Sequence, residues 1–141
     1  MTTIQEITVS TTGIERDDYC YCCGEKNAKG LHLKFVYPEK GKSLTTTIIP
    51  SYYTGWKNVV HGGYLAMLLD EAMAHACGSL GKQAFTAEIT VRYLKPANVG
   101  QSIRVEAQID NLKPRVIDTS GSIFDADDNI IAKAKAKFMV P

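Results

Sequence analysis

His61-Gly62-Gly63-Tyr64-Leu65-Ala66-Met67-Leu68-Leu69-Asp70-Glu71-Ala72-Met73-Ala74-His75-Ala76-Cys77 is the stretch on which the fold turns. At about 100° per residue its apolar side chains cover most of a cylinder, which predicts a helix from near His61 towards Leu80. Glu71, His75 and Ser79, spaced i, i+4 and i+8, share one arc that water or a polar partner can satisfy. Asp70 does not. It lies about 100° from Glu71, among Ala66, Met67, Met73, Ala74 and Cys77, where a carboxylate loses hydration unless a partner replaces it.

An acid so placed is either a structural carboxylate, capping a loop or pairing across an interface, or a base or nucleophile that faces a cleft. The glycines eight residues earlier favour the second reading. At a helix start the first backbone N–H groups have no partner in the helix, and the macrodipole is positive. Without side chains, Gly62 and Gly63 admit a substrate carbonyl to those donors, as an oxyanion hole requires. The plainer reading of the pair is a tight turn from loop to helix. From Gly62 to Asp70 the helix would rise roughly 12 Å.

A helix this apolar needs partners, and the flanking sequence offers strands. Upstream, Leu31, Leu33, Phe35 and Tyr37 alternate with His32, Lys34 and Val36. A turn at Glu39-Lys40-Gly41-Lys42 then leads into Ser43 to Ile49, which reads as a hairpin ending at Pro50. The loop Ser51 to Asn58 carries Tyr52, Tyr53 and Trp56, to pack over the helix start or line a pocket. Downstream come four period-two stretches. The first is Ala84 to Leu94, with Ala87, Ile89, Val91 and Tyr93 on one face and Thr86, Glu88, Thr90 and Arg92 on the other. Ser102 to Asn111 follows, with Ile103, Val105, Ala107 and Ile109 inward. Arg115 to Phe124 and Ile130 to Val140 complete the set. The expected fold is α+β, an antiparallel sheet of five to six strands curled around one long central helix. One such unit leaves an edge strand and part of an apolar face uncovered, which predicts a homodimer at least.

The chain has 141 residues and a net charge of +1 from 16 basic and 15 acidic side chains. That is the length of a single domain, read here as an N-terminal segment, 1–30, carrying a Cys-rich turn, followed by the main body, 31–141. Near-neutral charge predicts no nucleic-acid partner. The apolar run is too short and too polar to span a bilayer, so no membrane partner is expected. Met1 to Glu6 have neither a basic start nor an apolar run, which predicts a cytoplasmic protein without a secretory signal. Of four cysteines, Cys20, Cys22 and Cys23 cluster and Cys77 stands alone. One C-x-x-C is half of a usual zinc ligand set, with His32 as a third ligand and Asp17 or Asp18 as a fourth. That spacing matches no common tetrahedral site, so no metal is expected and the cluster reads as a turn of reduced thiols.

With these elements in order, the chain resembles the hotdog-fold acyl-CoA thioesterases related to the phenylacetic-acid pathway, within the 4-hydroxybenzoyl-CoA thioesterase-like superfamily. Three stretches carry the likeness: Cys20-x-x-Cys23-Gly24 with Asn27 and Gly30-Leu31; His61-Gly62-Gly63 through Asp70-Glu71-Ala72; and Thr86 through Pro96. The resemblance implies hydrolysis of acyl-CoA to free acid and CoA without a cofactor. The Gly62 N–H would hold the thioester carbonyl, Asp70 would act as base or nucleophile, and Thr86 would lie near the attacking water. His61, Gly63 and Asn58, the last three positions upstream of His61, become candidate substrate-binding residues. It also implies sites shared across a homodimer, with pairing of dimers into tetramers left open. Arg92, Lys95, Lys57 and Arg115 are candidates for the CoA phosphates by their nearness to the motifs alone. Two rival readings keep the fold. One is an acyl-CoA-binding module without turnover; the other is a dehydratase, which needs a histidine opposite an acid where neither His32 nor His75 can be placed.

Overall fold

The computed structural model describes residues 17–141; the expectation about the first six residues lies outside them. The apolar run is helix α1 (Gly62–Gly78), preceded by strand β1 (Lys42–Ile48). After it come β2 (Phe85–Tyr93), β3 (Ser102–Leu112), β4 (Val116–Asp125) and β5 (Ile130–Met139). They form one antiparallel sheet in the order β1-β3-β4-β5-β2, so β1 and β2 are its edges. No helix among the described residues is long and apolar enough to cross a membrane.

The helix lies across one face of the sheet. Leu65, Leu68, Leu69, Ala72, Met73 and Ala76 are buried in one cluster with Ile103, Val105, Ile117, Ile123, Ala132, Ala134, Ala136 and Phe138. Each fully buried large aliphatic or aromatic side chain here contributes about 1.5–3 kcal/mol. Small residues set how close the layers come. A Cβ on Gly121 of β4 would sit 3.3 Å from Leu69 Cδ2 and 3.2 Å from the Glu106 carbonyl oxygen, so a side chain there would push the helix away. The Lys133-Ala134-Lys135-Ala136-Lys137-Phe138 alternation behaves as its pattern predicts, lysines out and the others in.

One sequence expectation needs correction here. Leu31 to Tyr37 is not a strand: bridging is confined to its end, where Val36 pairs with Leu44. The backbone donors of Leu31 and Leu33 go instead to the Tyr21 and Cys22 carbonyls, docking this segment on the cysteine turn. Its alternation survives because Leu33, Phe35 and Tyr37 still face the core. On the arc of Glu71, His75 and Ser79 it is polar partners, of the two alternatives, that satisfy the side chains, His75 bonding to Glu71 and to Tyr37. His75 and Ser79 are buried, and Ser79 Oγ accepts from the Gly41 N–H at 2.6 Å. On β1 the inward residues are hydroxylic. Buried Ser43 donates to the Ala72 carbonyl of α1, and Thr45 to that of Lys34, so no polar group is stranded.

Strand β2 stands apart, with no fully buried residue along it. Phe85, opposite exposed Met139, and Tyr93, opposite buried Ala132, are 61% and 51% exposed, so apolar surface along this edge is left uncovered in a single chain. A bulge shifts its register between Thr86 and Glu88. Thr86 therefore pairs opposite Phe138, which is wholly buried, while Glu88 pairs opposite the exposed Lys137. Residues directly opposite on an antiparallel pair share a face. So Thr86 turns to the helix side, although unbroken alternation puts it with Glu88, Thr90 and Arg92 on the other.

At the far end of β4, buried Asp125 closes the turn into β5. Its carboxylate accepts from Lys95 Nζ at 2.8 Å, from the backbone N–H groups of Asp127 and Asn129, both at 2.9 Å, and from Asn129 Nδ2 at 3.2 Å. Led by the Lys95 bond and the Asn129 N–H, these hold its pKa down to about 2 against desolvation. A depressed folded-state pKa gives stability that is complete above the ordinary carboxylate value of about 4 and is lost as pH falls through 2. Thermal melts should therefore show wild type losing stability between these limits, while Asp125→Asn, less stable at pH 7, should approach wild type at the acid end.

Candidate active site

The N-terminus of α1 is capped from within. His61 is the N-cap, extended at φ −64° and ψ 131°, and its Nδ1 accepts from the Gly63 N–H at 2.9 Å. The His61 N–H goes to the Tyr53 carbonyl at 2.7 Å, and the Tyr64 N–H to that of His61 at 3.0 Å. The Gly62 N–H finds no acceptor among the described residues. The two glycines thus part company: Gly63 spends its donor on the cap, and Gly62 keeps a free one at the positive end of the helix. The glycine at 62 has a steric reason as well. Tyr93 OH of β2 donates to the Gly62 carbonyl at 2.8 Å, and a Cβ on Gly62 would meet that ring at 3.2 Å.

Asp70 sits half-buried on the helix stripe that the sheet leaves partly open, with Ala66, Met67 and Ala74 also half-buried. Its Oδ1 accepts from Thr86 Oγ1 at 2.6 Å, a contact that exists because of the β2 bulge. Burial raises the carboxyl pKa, the Thr86 bond opposes this, and neighbouring Glu71 adds to the rise; the net result is upward. The carboxylate is a stronger base than an ordinary surface aspartate.

Other expected residues fall into place unevenly. Asn58 is exposed at φ 62°, a left-handed turn position that asparagine tolerates better than most residues. That geometry by itself accounts for its type. Of the loop aromatics, Tyr53 stacks on Tyr64 at 4.4 Å, whereas Trp56 is 84% exposed. Lys95 is engaged by Asp125. A shallow depression on the far face of the sheet, lined by Glu88, Arg92, Asp110, Lys133 and Lys135, takes in Arg92 of the phosphate candidates but none of Gly62, Asp70 and Thr86. Tyr93 was not anticipated: alternation put it on the correct face, but nothing in the sequence marks its hydroxyl as the tie to Gly62.

The cysteine turn has unexpected company. Cys20, Cys23 and Glu71 bring two Sγ and one carboxylate oxygen within 4.8 Å of one another. The side chains that the sequence offered as further ligands, and that were set aside there, are engaged elsewhere. His32 Nε2 meets the Asn27 carbonyl, Asp17 accepts from the Tyr19 N–H, and Asp18 pairs with Lys26.

A single helix laid on a five-stranded antiparallel sheet is the hotdog fold. Residues 57–132 match the thioesterase superfamily, and the chain belongs to it. It is similar to acyl-coenzyme A thioesterase PaaI of Escherichia coli K12, 29% identical over 82 residues covering 58% of this chain and 59% of that one. A putative esterase of Archaeoglobus fulgidus is 28% identical over 118 residues, 84% of this chain and 76% of that protein. The crystal structure of a thioesterase superfamily protein superposes with a TM-score of 0.81 at 25% identity, over 86% of this chain and 60% of the other. The chain thus spans about three fifths of the E. coli relative and of the superposed structure.

A carboxyl group whose pKa is raised by folding makes the folded state less stable at neutral pH than in acid. Asp70→Asn keeps an oxygen for Thr86 and removes the charge. It should melt a few degrees above wild type at pH 7, with the gap closing as pH falls from the raised value to the ordinary carboxylate value of about 4.

Proposed function

We propose that this protein hydrolyses acyl-CoA thioesters. The observation that carries the proposal is a free N1 amide at the positive end of α1, on the same helix as a basic carboxylate held by Thr86. The thioester carbonyl oxygen accepts from the Gly62 N–H, which stabilises the charge that develops there. Asp70 takes the proton of a water as its oxygen attacks the carbonyl carbon. The tetrahedral intermediate then expels the CoA thiolate, which receives that proton. In the other form of the mechanism the Asp70 carboxylate attacks the carbonyl carbon and the C–S bond breaks to release the CoA thiolate; water then cleaves the mixed anhydride to free acid and the Asp70 carboxylate, its proton passing to the thiolate. Thr86 fixes the attacking face of the carboxylate in either case. No step calls for a cofactor.

One chain cannot bring both groups to one carbonyl, because eight residues of helix separate them by about 12 Å. We therefore assign each site an amide from one copy and an Asp70–Thr86 pair from another, in a homodimer seated on the uncovered face of β2. The acyl tail would lie between the two helices. The name of the E. coli relative supports an acyl-CoA substrate.

Release of CoA thiol across short, medium, long and aromatic acyl-CoAs tests the activity directly; binding without release would favour a non-catalytic module. Gly62→Pro tests the amide. Proline is tolerated at N1 and the preceding His61 is already extended, so the helix survives while one N–H is lost. Gly62→Ala is the control, meeting the same Tyr93 ring with its N–H intact. The proline variant should lose about 10²–10³-fold in kcat, and the alanine variant far less.

Mixing tests the shared site. Asp70→Asn and Gly62→Pro should each be nearly inactive, yet chains refolded together should recover about a quarter of wild-type activity, since half the dimers then hold one intact site. No recovery would place both groups in the site of a single chain.

A further inference from the structure

The chemistry of Cys20, Cys23 and Glu71 is not used by the reaction above, and their arrangement stands independently of it. The C-x-x-C-G turn is built by its own backbone: the Gly24 N–H donates to the Cys20 carbonyl at 2.9 Å, and the Lys26 N–H to that of Asp18 at 2.9 Å. The turn closes so tightly that a Cβ on Gly24 would lie 2.4 Å from both the Asp18 carbonyl oxygen and the Cys20 nitrogen. This knuckle aims two thiols at α1, where Glu71 meets them from 48 residues beyond Cys23. Glu71 Oε1 lies 4.0 Å from Cys20 Sγ, long for a thiol hydrogen bond, and 3.1 Å from His75 Nε2. His75 is itself held by the Tyr37 hydroxyl at 2.7 Å on Nδ1 and by the Phe35 ring, stacked at 3.9 Å.

We propose that Cys20, Cys23 and Glu71 bind a zinc ion that latches the N-terminal turn to α1. Tetrahedral zinc with bonds of about 2.3 Å to sulfur and 2.0 Å to oxygen needs ligand atoms about 3.5–3.8 Å apart. The three atoms already lie within 4.8 Å of one another, so contraction by at most about 1.0–1.3 Å completes the set. Two thiolates and a carboxylate suit a borderline-soft d10 ion, and a fourth position remains for water. Binding displaces the two thiol protons to solvent. His75 supplies the outer contact that fixes the carboxylate, as ligating side chains generally require. The ligand set escapes a motif search because its third member lies on a different element, far along the chain.

The test uses the full chain, reduced, equilibrated with Zn2+ and then dialysed. Wild type should retain about one zinc per chain, whereas Cys20→Ser/Cys23→Ser should retain under about a tenth of that. With Co2+ in place of zinc, wild type should show a thiolate-to-metal charge-transfer band in the near ultraviolet. Glu71→Gln should keep that band and bind more weakly, since it loses one ligand and both sulfurs remain. Far-ultraviolet circular dichroism checks that each variant is folded. Zinc absent from folded wild type, or retained equally by the double serine variant, or a Co2+ complex without the thiolate band, would overturn the proposal.

Discussion

Helix α1 is tied to the edge strand β2 by two side-chain hydrogen bonds, and the proposed chemistry depends on that tie. Thr86 Oγ1 reaches Asp70 and Tyr93 OH reaches the Gly62 carbonyl, so one strand grips the helix at its first residue and at its only aspartate. Both bonds are made on the flank where the sheet leaves the helix half covered. Burial elsewhere along α1 is complete at Leu68, Leu69, Ala72, Met73 and Ala76, which fixes the axis. The ties then fix its rotation and keep Asp70 facing outward, where a substrate can meet it.

In the proposed mechanism the same geometry makes a single copy incomplete. A helix presents its unbonded donors only at its start, and Asp70 lies more than two turns further on. Close approach of the two groups within one chain is prevented by the regularity that makes the helix stable. The proposed pairing of two copies would remove the conflict without bending anything, and the edge strand β2 has apolar side chains exposed that could serve it. Stability and function are thus assigned to different faces: the sheet-facing side of α1 holds the fold, and its open stripe holds Asp70.

How much of this was legible depended on how local the cause was. The helix and strands β3 to β5 follow from periodicity because burial on one face imposes it. Asp70 stood out for the same reason, as a charge where the pattern calls for an apolar side chain. Leu31 to Tyr37 misled because alternation records which side chains face the core, not which backbone groups pair. Thr86 was picked out by resemblance, while its own alternation with Glu88, Thr90 and Arg92 argued for the wrong face; a bulge adds one residue and leaves no mark in such a pattern. Gly62 and Gly63 were told apart by resemblance alone, since the difference between them is one hydrogen bond to the His61 ring. The meeting of Cys20 and Cys23 with Glu71 was out of reach, because it depends on how a terminal turn docks on a helix.

The central claim is that one acyl carbonyl is held by the Gly62 amide of one copy and faced by Asp70 of another. A crystal structure with a non-hydrolysable acyl-CoA analogue, its thioester sulfur replaced by methylene, tests it most directly. The account predicts the analogue's carbonyl oxygen about 2.7–3.1 Å from Gly62 N, with Asp70 and Thr86 of a second copy beside the carbonyl carbon. A carbonyl bound elsewhere, or Gly62 and Asp70 opening onto separate surfaces in every copy, would contradict it.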